Sequence, residues 1–571
     1  MPIAKRPAAE DPPFPFVLMA AAACALFAWL TPTHELPWAA FHAEMAMALA
    51  GLIGAGWVLW RSRYRVTTIP ALALLTLAAA VVPLLQAASG QMVFAGDAAL
   101  SVLYLLGFAL AVVFGQRAVE AVGLGRALES FAWLVLVAAL VSLWLALYQW
   151  QQLDYLGVFA ADLVAGVRPY ANFNQPNQLA SLMVLGLIAV ACLHDAGRLG
   201  HATALALLAA LGFGCAMAQS RAGYLELAVV SVFLVARFRV FERRLRLPHL
   251  LVGIALVWAM APLWQATSVW AGQPAERGAV AMLEAGPRLT HWSSMAQAIL
   301  RQPWLGYGWN QTIAAQYAVA NDHVATRELL GHAHNLVLDL LVWNGLPIGL
   351  LLLTGLGAWF WFALRAARSS STVLLLAGVL ALFAHAMVEY PLYYAYFLIP
   401  VGLLMGGISA VCLPRAAVRV PVLAVPLLLA LAALGLGLVA RDYLGIEADL
   451  RSLRFERARI GVNRPPREMS TPLLLTQMGA FVHFARTPER EGMGAAELAA
   501  MGDVVERFPS AANMVRYAAA LALNERPADA AQVLRRVCRI QSREACTDMQ
   551  ALWTALGERR PALAALPWPN D

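Results

Sequence analysis

The sequence predicts an all-α, polytopic membrane protein, on three observations. The chain of 571 residues is 61% hydrophobic with only 13% charged residues and a mean hydropathy of +0.65, too little charge to cover a soluble surface of that size. Apolar stretches of about 20 residues, the length needed to cross a bilayer as helix, recur along the first three quarters of it. The dyad alternation of a membrane β-barrel is absent from these stretches.

Thirteen spans are predicted, near 14–30, 43–60, 69–87, 98–114, 130–147, 179–193, 202–216, 222–236, 249–264, 345–364, 372–388, 394–411 and 421–439. The first run, Phe16–Leu30, follows Lys5 and Arg6 but has no convincing small-x-small cleavage site, so it reads as a retained span rather than a removed signal peptide. Alternate connections carry Lys5 and Arg6; Arg61, Arg63 and Arg65; Arg117 and Arg126; Arg198; the arginines from 237 to 246; Arg365 and Arg368; Arg415 and Arg419. The opposite short loops hold only Arg168 and Arg221, and the 265–333 stretch is too long to count. That asymmetry predicts a cytoplasmic N-terminus and, after an odd number of spans, a C-terminal part outside: the periplasm, in a Gram-negative cell. The net charge of +7 is thereby explained by orientation and does not point to nucleic acid.

Two domains are expected. Residues 1–440 form the membrane domain, including a long outer loop at 265–344. Residues 441–571 form a charged, amphipathic helical tail in which "PSAANMVRYAAALALNERPADAAQVLRRVC" weakly matches one tetratricopeptide-type repeat. As a helical cap or as an acceptor-docking platform the tail makes sense, the cap being the simpler reading. Cys24, Cys192, Cys215 and Cys412 fall in or beside apolar runs and read as core. Cys538 and Cys546 can pair if the tail is outside the cytoplasm, provided a turn separates them.

The segments richest in uncharged polar residues, 148–178, 217–223, 265–344 and 388–393, all fall on the predicted outer face. In "VRPYANFNQPNQLASL" Pro169 and Pro176 prevent a regular helix, and the amides Asn172, Asn174, Gln175, Asn177 and Gln178 can bind sugar hydroxyls or phosphate, or cap a helix start. Arg168 lies at its head. Arg221, in "AQSRAGYLEL", stands against the orientation rule between two apolar spans; its planar fork suits a diphosphate, and headgroup snorkelling is the alternative. Arg288 opens an amphipathic helix and is a second phosphate candidate, while Trp292, Trp304, Tyr307 and Trp309 suit an interfacial belt better than sugar stacking. In "GHAHNLVLDLL" His334 is a candidate base, His332 and Asn335 flank it, and Asn335 can reach Asp339 at i+4. Two histidines two apart, without a third ligand nearby, make a weak zinc site, so no metal is expected. Glu389 and Tyr390, in "VEYPLYY", stand at the same level; Glu389 suits orienting a partner or carrying a proton, or a solvated turn.

Taken in order, "NFNQPNQLAS", "SRAGYL", "PRLTHW" with "PWLGYGWN", "HAHN" and "VEYPLYYAYFLIPVGLLMG" resemble the O-antigen ligase and polymerase superfamily, and most of all its protein O-oligosaccharyltransferase branch. The likeness covers about 165–410. It implies a glycosyltransferase of GT-C type that moves a preassembled glycan from undecaprenyl diphosphate to protein hydroxyls, pilin among the acceptors, with neither cofactor nor metal. It makes His334, next to Asn335, the catalytic histidine, Arg221 and Arg288 the phosphate ligands, and the amide loop with Asn174, Gln175 and Asn177 the donor side; Arg168 is expected on that side too, and Asn335, His332, Glu389 and Tyr390 in support. The expected site is the outer face of a bacterial inner membrane. A lipid A–core acceptor, a growing repeat unit, or a transporter remain as rival readings; the last calls for internal repeats and mid-membrane polar groups, neither clear in the sequence.

Overall fold

The computed structural model describes residues 16–62, 66–164, 166–241, 243–272, 288–460 and 468–569. Lys5, Arg6, Arg63 and Arg65 of the orientation argument, the first residues of the first predicted span, and positions 273–287 of the outer loop lie outside them. In chain order the helices begin with α1 (Phe16–Leu30), α2 (Phe41–Arg61), α3 (Ala71–Ala79), α4 (Val81–Ala88), α5 (Ala95–Val122), α6 (Leu124–Trp150), α7 (Pro176–Asp195), α8 (His201–Met217), α9 (Arg221–Ala236) and α10 (Leu247–Trp270). The 265–344 loop carries α11 (Arg288–Arg301) and α12 (Thr312–Val319), and α13 (Leu336–Ala366), α14 (Ser370–Ala386), α15 (Ala395–Cys412) and α16 (Ala424–Arg457) follow. The tail holds α17 (Thr476–Arg486), α18 (Ala495–Arg507), α19 (Ala511–Leu523), α20 (Pro527–Ile540), α21 (Arg543–Gly557) and α22 (Pro561–Ala564). Two three-residue strands, Thr68–Pro70 and Ala417–Arg419, pair antiparallel.

The described part of every predicted span falls mainly on helix, the third being divided between α3 and α4. Among the described residues nine segments are long and apolar enough to cross a membrane, with α3 and α4 counted as one, and α1, α8 and α14 are shorter apolar helices. The fold is therefore an all-α polytopic membrane protein. Packing between helices relies on close approach rather than on apolar transfer, because lipid is as apolar as leucine. At Gly406 of α15 a Cβ would strike the Val112 carbonyl of α5, so the two backbones touch.

One boundary differs from the reading of 345–364. The helix starts at Leu336, because the Asn335 side chain caps it by accepting from Val337 N–H and Leu338 N–H at 3.0 and 3.2 Å. It then breaks at Gly345, whose φ of 69° is left-handed and whose missing Cβ leaves room for the backbone of Pro303 and Trp304. The break frees carbonyls that the "PWLGYGWN" loop satisfies: Tyr307 N–H donates to Val342 O at 2.8 Å and Gly308 N–H to Trp343 O at 3.1 Å. Asp339, expected beside Asn335, instead accepts from the Thr312 hydroxyl and Ala333 N–H at 2.8 and 2.9 Å.

The tail is not separate from the membrane bundle. Helix α16 runs unbroken through residue 440, the expected limit of the membrane domain. Arg507, at the end of α18, donates twice to buried Asp97 at the start of α5, at 2.8 and 3.0 Å. Cys538 and Cys546 form a disulfide between α20 and α21. The carbonyls of Cys538 and Arg539 beside it accept from Arg327 of the 265–344 loop, at 2.6 and 3.0 Å.

Candidate active site

The site is built on the turn before α13. His334 has a left-handed φ of 51°, an unusual setting for a residue other than glycine and one that surrounding contacts must hold. Those contacts are visible. Helix α11 lies across the turn, with its Trp292 indole N–H donating to Ala333 O at 2.9 Å and His291 Nε2 at 3.0 Å from His332 O. Asn335 Nδ2 reaches the Met387 carbonyl beyond α14 at 3.1 Å, tying the turn to the segment that carries Glu389. Asn335 is thus a cap and a tie.

The imidazole so placed has its Nδ1 2.8 Å from Glu389 Oε2. Arg288, the first residue of α11, pairs with Glu389 Oε1. One carboxylate, 8% exposed, therefore joins a histidine and an arginine that are 46 residues apart in sequence. Burial pushes Glu389 toward its neutral form, but the hydrogen bond and charge of His334 and the charge of Arg288 together hold it below the usual carboxylate range. A carboxylate at Nδ1 favours the tautomer with the proton there, leaving the Nε2 lone pair for a substrate.

Around this pair the ionisable groups are silenced. Burial, then the charge of His334, pushes His332 down to about 3. Burial takes His291 down to about 4. Both are neutral near pH 7, so His332 acts as packing, its ring 4.5 Å from that of Tyr390 and 4.2 Å from Tyr393. The phenol of Tyr390, its ring 5.0 Å from His334, is pushed up to about 12 by burial and the Glu389 charge, and stays a hydrogen-bond donor.

The amide loop divides by role. Asn172, read with the other amides of this loop as able to bind sugar or phosphate, is instead structural: its amide donates to Leu30 O and Phe159 O at 2.7 and 3.0 Å and its oxygen accepts from Ala161 N–H at 2.9 Å. Gln175 caps α7, accepting from Asn177 N–H at 2.6 Å, and also interacts with Tyr390. Asn177 accepts from Ser220, the cap of α9, at 2.8 Å, so two helix starts are joined and Arg221 stands at the first turn of one of them. Arg168 donates to Gln219 O at 3.2 Å, next to that cap. Asn174 is exposed, with a left-handed φ of 56°. Gln175 and Tyr390 thus connect the Arg168–Asn177–Arg221 group to the His334–Glu389–Arg288 group. Beneath them, buried Ser181 of α7 meets Glu226 of α9 and His385 of α14, each at 2.6 Å. This network was not anticipated. Its signal was present, since Glu226 and His385 are ionisable residues inside apolar runs.

Beside the site, a cavity of about 520 Å³ extends between α3, α5 and α13. Most of its lining is apolar, and the polar groups on it include His332, Glu389, Tyr393, Asp97 and Arg507. The tail supplies part of its wall, including Phe508 and Met478. Among the described residues no three His, Cys, Asp or Glu side chains gather to hold a metal ion.

Comparison with known proteins gives the family. The profile of the O-antigen ligase family matches residues 205–354, that of the C-terminal part of a virulence factor membrane-bound polymerase matches 373–541, and that of a protein glycosylation ligase matches 169–194. The chain is 28% identical over 547 residues to a general O-oligosaccharyltransferase of Acinetobacter baylyi, covering 92% of this chain and 93% of that one. This protein belongs to the O-antigen ligase and polymerase superfamily. Within it the chain is similar to the O-oligosaccharyltransferases, and it is a glycosyltransferase. A ComP-specific O-oligosaccharyltransferase of the same organism is 28% identical over 282 residues, 49% of this chain and 51% of that one. The three superfamily profiles share out the site: one spans Arg221, Arg288 and His334, another Glu389, Tyr390 and Arg507, the third Asn174, Gln175 and Asn177.

Proposed function

We propose that this glycosyltransferase moves a preassembled glycan en bloc from undecaprenyl diphosphate to Ser or Thr hydroxyls of periplasmic proteins, pilins among them. The observation that carries the reading is Glu389 shared between His334 and Arg288. His334 Nε2 takes the proton of the acceptor hydroxyl, whose oxygen bonds to the anomeric carbon from the face opposite the diphosphate. The bond between that carbon and the diphosphate oxygen breaks, and the configuration inverts. Glu389 stabilises the imidazolium that forms, as a buried carboxylate beside a catalytic histidine does. Arg221 and the remaining N–H groups of Arg288 take up the charge that grows on the leaving diphosphate, a stabilisation larger in a dry site than in water. Asn174, Gln175, Asn177 and Arg168 line the donor side. Two arginines supply the positive charge, so transfer proceeds without a divalent cation.

In this reading residues 1–440 are the catalytic membrane domain of an inner-membrane protein with its N-terminus in the cytoplasm, and 441–571 lie in the periplasm. The Cys538–Cys546 disulfide supports an oxidising compartment for the tail. Reconstitution in liposomes with lipid-linked oligosaccharide, offering a pilin and lipid A–core in parallel, tests the proposal. Glycan on pilin serines or threonines, identified by mass spectrometry, undiminished by EDTA and absent with His334→Ala, is the expected result. Glycan on lipid A–core alone would make the protein an O-antigen ligase, and full activity of His334→Ala would remove the base.

A further inference from the structure

A second cleft, of about 380 Å³, lies between the turn before α5, the loop before α12, and α18 of the tail. Its character is unlike the apolar cavity. Gln91, Gln302, Tyr307, Gln311, Asp503 and Glu506 stand on its walls. Two of these groups are incomplete: the Gln311 amide nitrogen and the Tyr307 hydroxyl have no hydrogen-bond partner among the described residues, although the side chains are only 7% and 9% exposed. Both residues line the cleft while these two atoms are covered, so a small turn of either side chain would present an uncompleted hydrogen-bonding group to a ligand there.

The cleft adjoins the catalytic cavity. Trp309 and Asn310 line the cavity while Tyr307 and Gln311 line the cleft, so residues 307–311 form the partition, and Arg507 belongs to both walls. Arg507 is neutralised by Asp97, which leaves Asp503 and Glu506 to set the charge of the cleft. Carboxylates and side-chain amides ask for a ligand that donates and accepts at neighbouring atoms, as sugar hydroxyls do. A polypeptide segment would need a longer groove with apolar recesses for alternate side chains, whereas this volume lies in the range of small-ligand sites, about 300–1,000 Å³.

We propose that this cleft is a saccharide subsite that receives sugar residues of the transferred glycan beyond the one that reacts. The proposal rests on the glycan-transfer reading for its source of sugar, but its binding test does not require transfer. Full-length protein in detergent is titrated calorimetrically with N-acetylhexosamine and neutral hexose trisaccharides, chitotriose and maltotriose included, and with the matching monosaccharides. At least one trisaccharide should bind, and Tyr307→Phe and Gln311→Met, each with an unchanged melting temperature, should weaken it about tenfold or more. In turnover, the donor KM of both variants should rise about tenfold with undecaprenyl diphosphate carrying three sugars and less than twofold with one sugar, at constant kcat. Failure of every trisaccharide to bind, or binding indifferent to both substitutions, overturns the subsite. So does a rise confined to the acceptor KM, which would give the cleft to the acceptor polypeptide. Substitution-sensitive binding without transfer from either donor would sustain the subsite and sink the transferase reading.

Discussion

Glu389→Gln is the sharpest perturbation the structure offers, because it keeps the shape and removes one oxygen's worth of acceptance. The carboxylate serves two donors, Arg288 at Oε1 and His334 at Oε2. A glutamine has one carbonyl oxygen and one NH2 group. With its oxygen toward Arg288, the NH2 faces His334 Nδ1 and selects the tautomer with the proton on Nε2, which cannot accept another. With its oxygen toward His334, the NH2 faces a guanidinium that accepts nothing. Either way one charge-assisted hydrogen bond is lost, about 1.5–3 kcal/mol, or roughly 10–150-fold at 1.36 kcal/mol per decade. In the first orientation the base is lost as well, and the whole effect is then set by that loss, about 10²–10⁴. The expected result is a fall in kcat of about 10²–10⁴, with the acceptor KM within about threefold of wild type. The assay is initial-rate transfer of a lipid-linked oligosaccharide to pilin, with Glu389→Asp, which keeps the charge, falling between. A kcat within about threefold of wild type for Glu389→Gln would refute the claim that this carboxylate sets the state of His334.

Other expectations follow from the same geometry. Arg221→Lys keeps the charge but loses the planar fork, and transfer should fall about 10-fold or more; a full rate with lysine would discard bidentate phosphate binding. Arg507→Ala leaves Asp97 buried and unmatched, a loss of about 3–5 kcal/mol, seen as a lowered melting temperature and faster proteolysis of the tail, and Asp97→Asn in the same chain should recover part of it. Acid should destabilise the protein through His332 and His291. Their folded values, about 3 and about 4, lie below the unfolded value of 6.5, so the unfolded chain binds protons first as pH falls below 6.5. Stability is full above that pH and declines down to the folded values. Between pH 6.5 and pH 5 each histidine accounts for on the order of 2 kcal/mol; a melting temperature flat over this interval would contradict their burial as neutral groups.

Much of this was legible in the residues. Apolar runs located the helices, and the rarity of arginine on one set of loops drew attention to Arg221 and Arg168. The position of His334 before an apolar helix singled it out, and Glu389 stood at the right level to be its partner. What stayed hidden were pairings across long separations. Nothing in the tail marks Arg507 among its many arginines as the partner of Asp97, 410 residues away. Ser181 shows its role only once α7, α9 and α14 are packed. The start of α13 was misplaced because hydropathy sees apolar length, whereas the helix begins where Asn335 satisfies its first N–H groups and is divided by a glycine that hydropathy cannot distinguish. Asn172 and Asn177 look alike in sequence, yet one braces a loop and the other joins two helix starts.

Helix α16 has 34 residues, about 51 Å at 1.5 Å per residue, against a hydrocarbon layer of about 30 Å. The surplus stands above the lipid as a mast, and on it hang Leu474 and Leu475, whose N–H groups donate to Asp442 at 2.6 and 3.2 Å, and Ser470, whose N–H donates to Asp449 at 2.8 Å. Height along a helix is also angle: one residue added to the mast would lift everything above it by about 1.5 Å and swing it through about 100°, carrying Arg507 off its mark. This stretch therefore tolerates exchange of its outward-facing letters far better than any change in their number; it is a gauge block, machined to length.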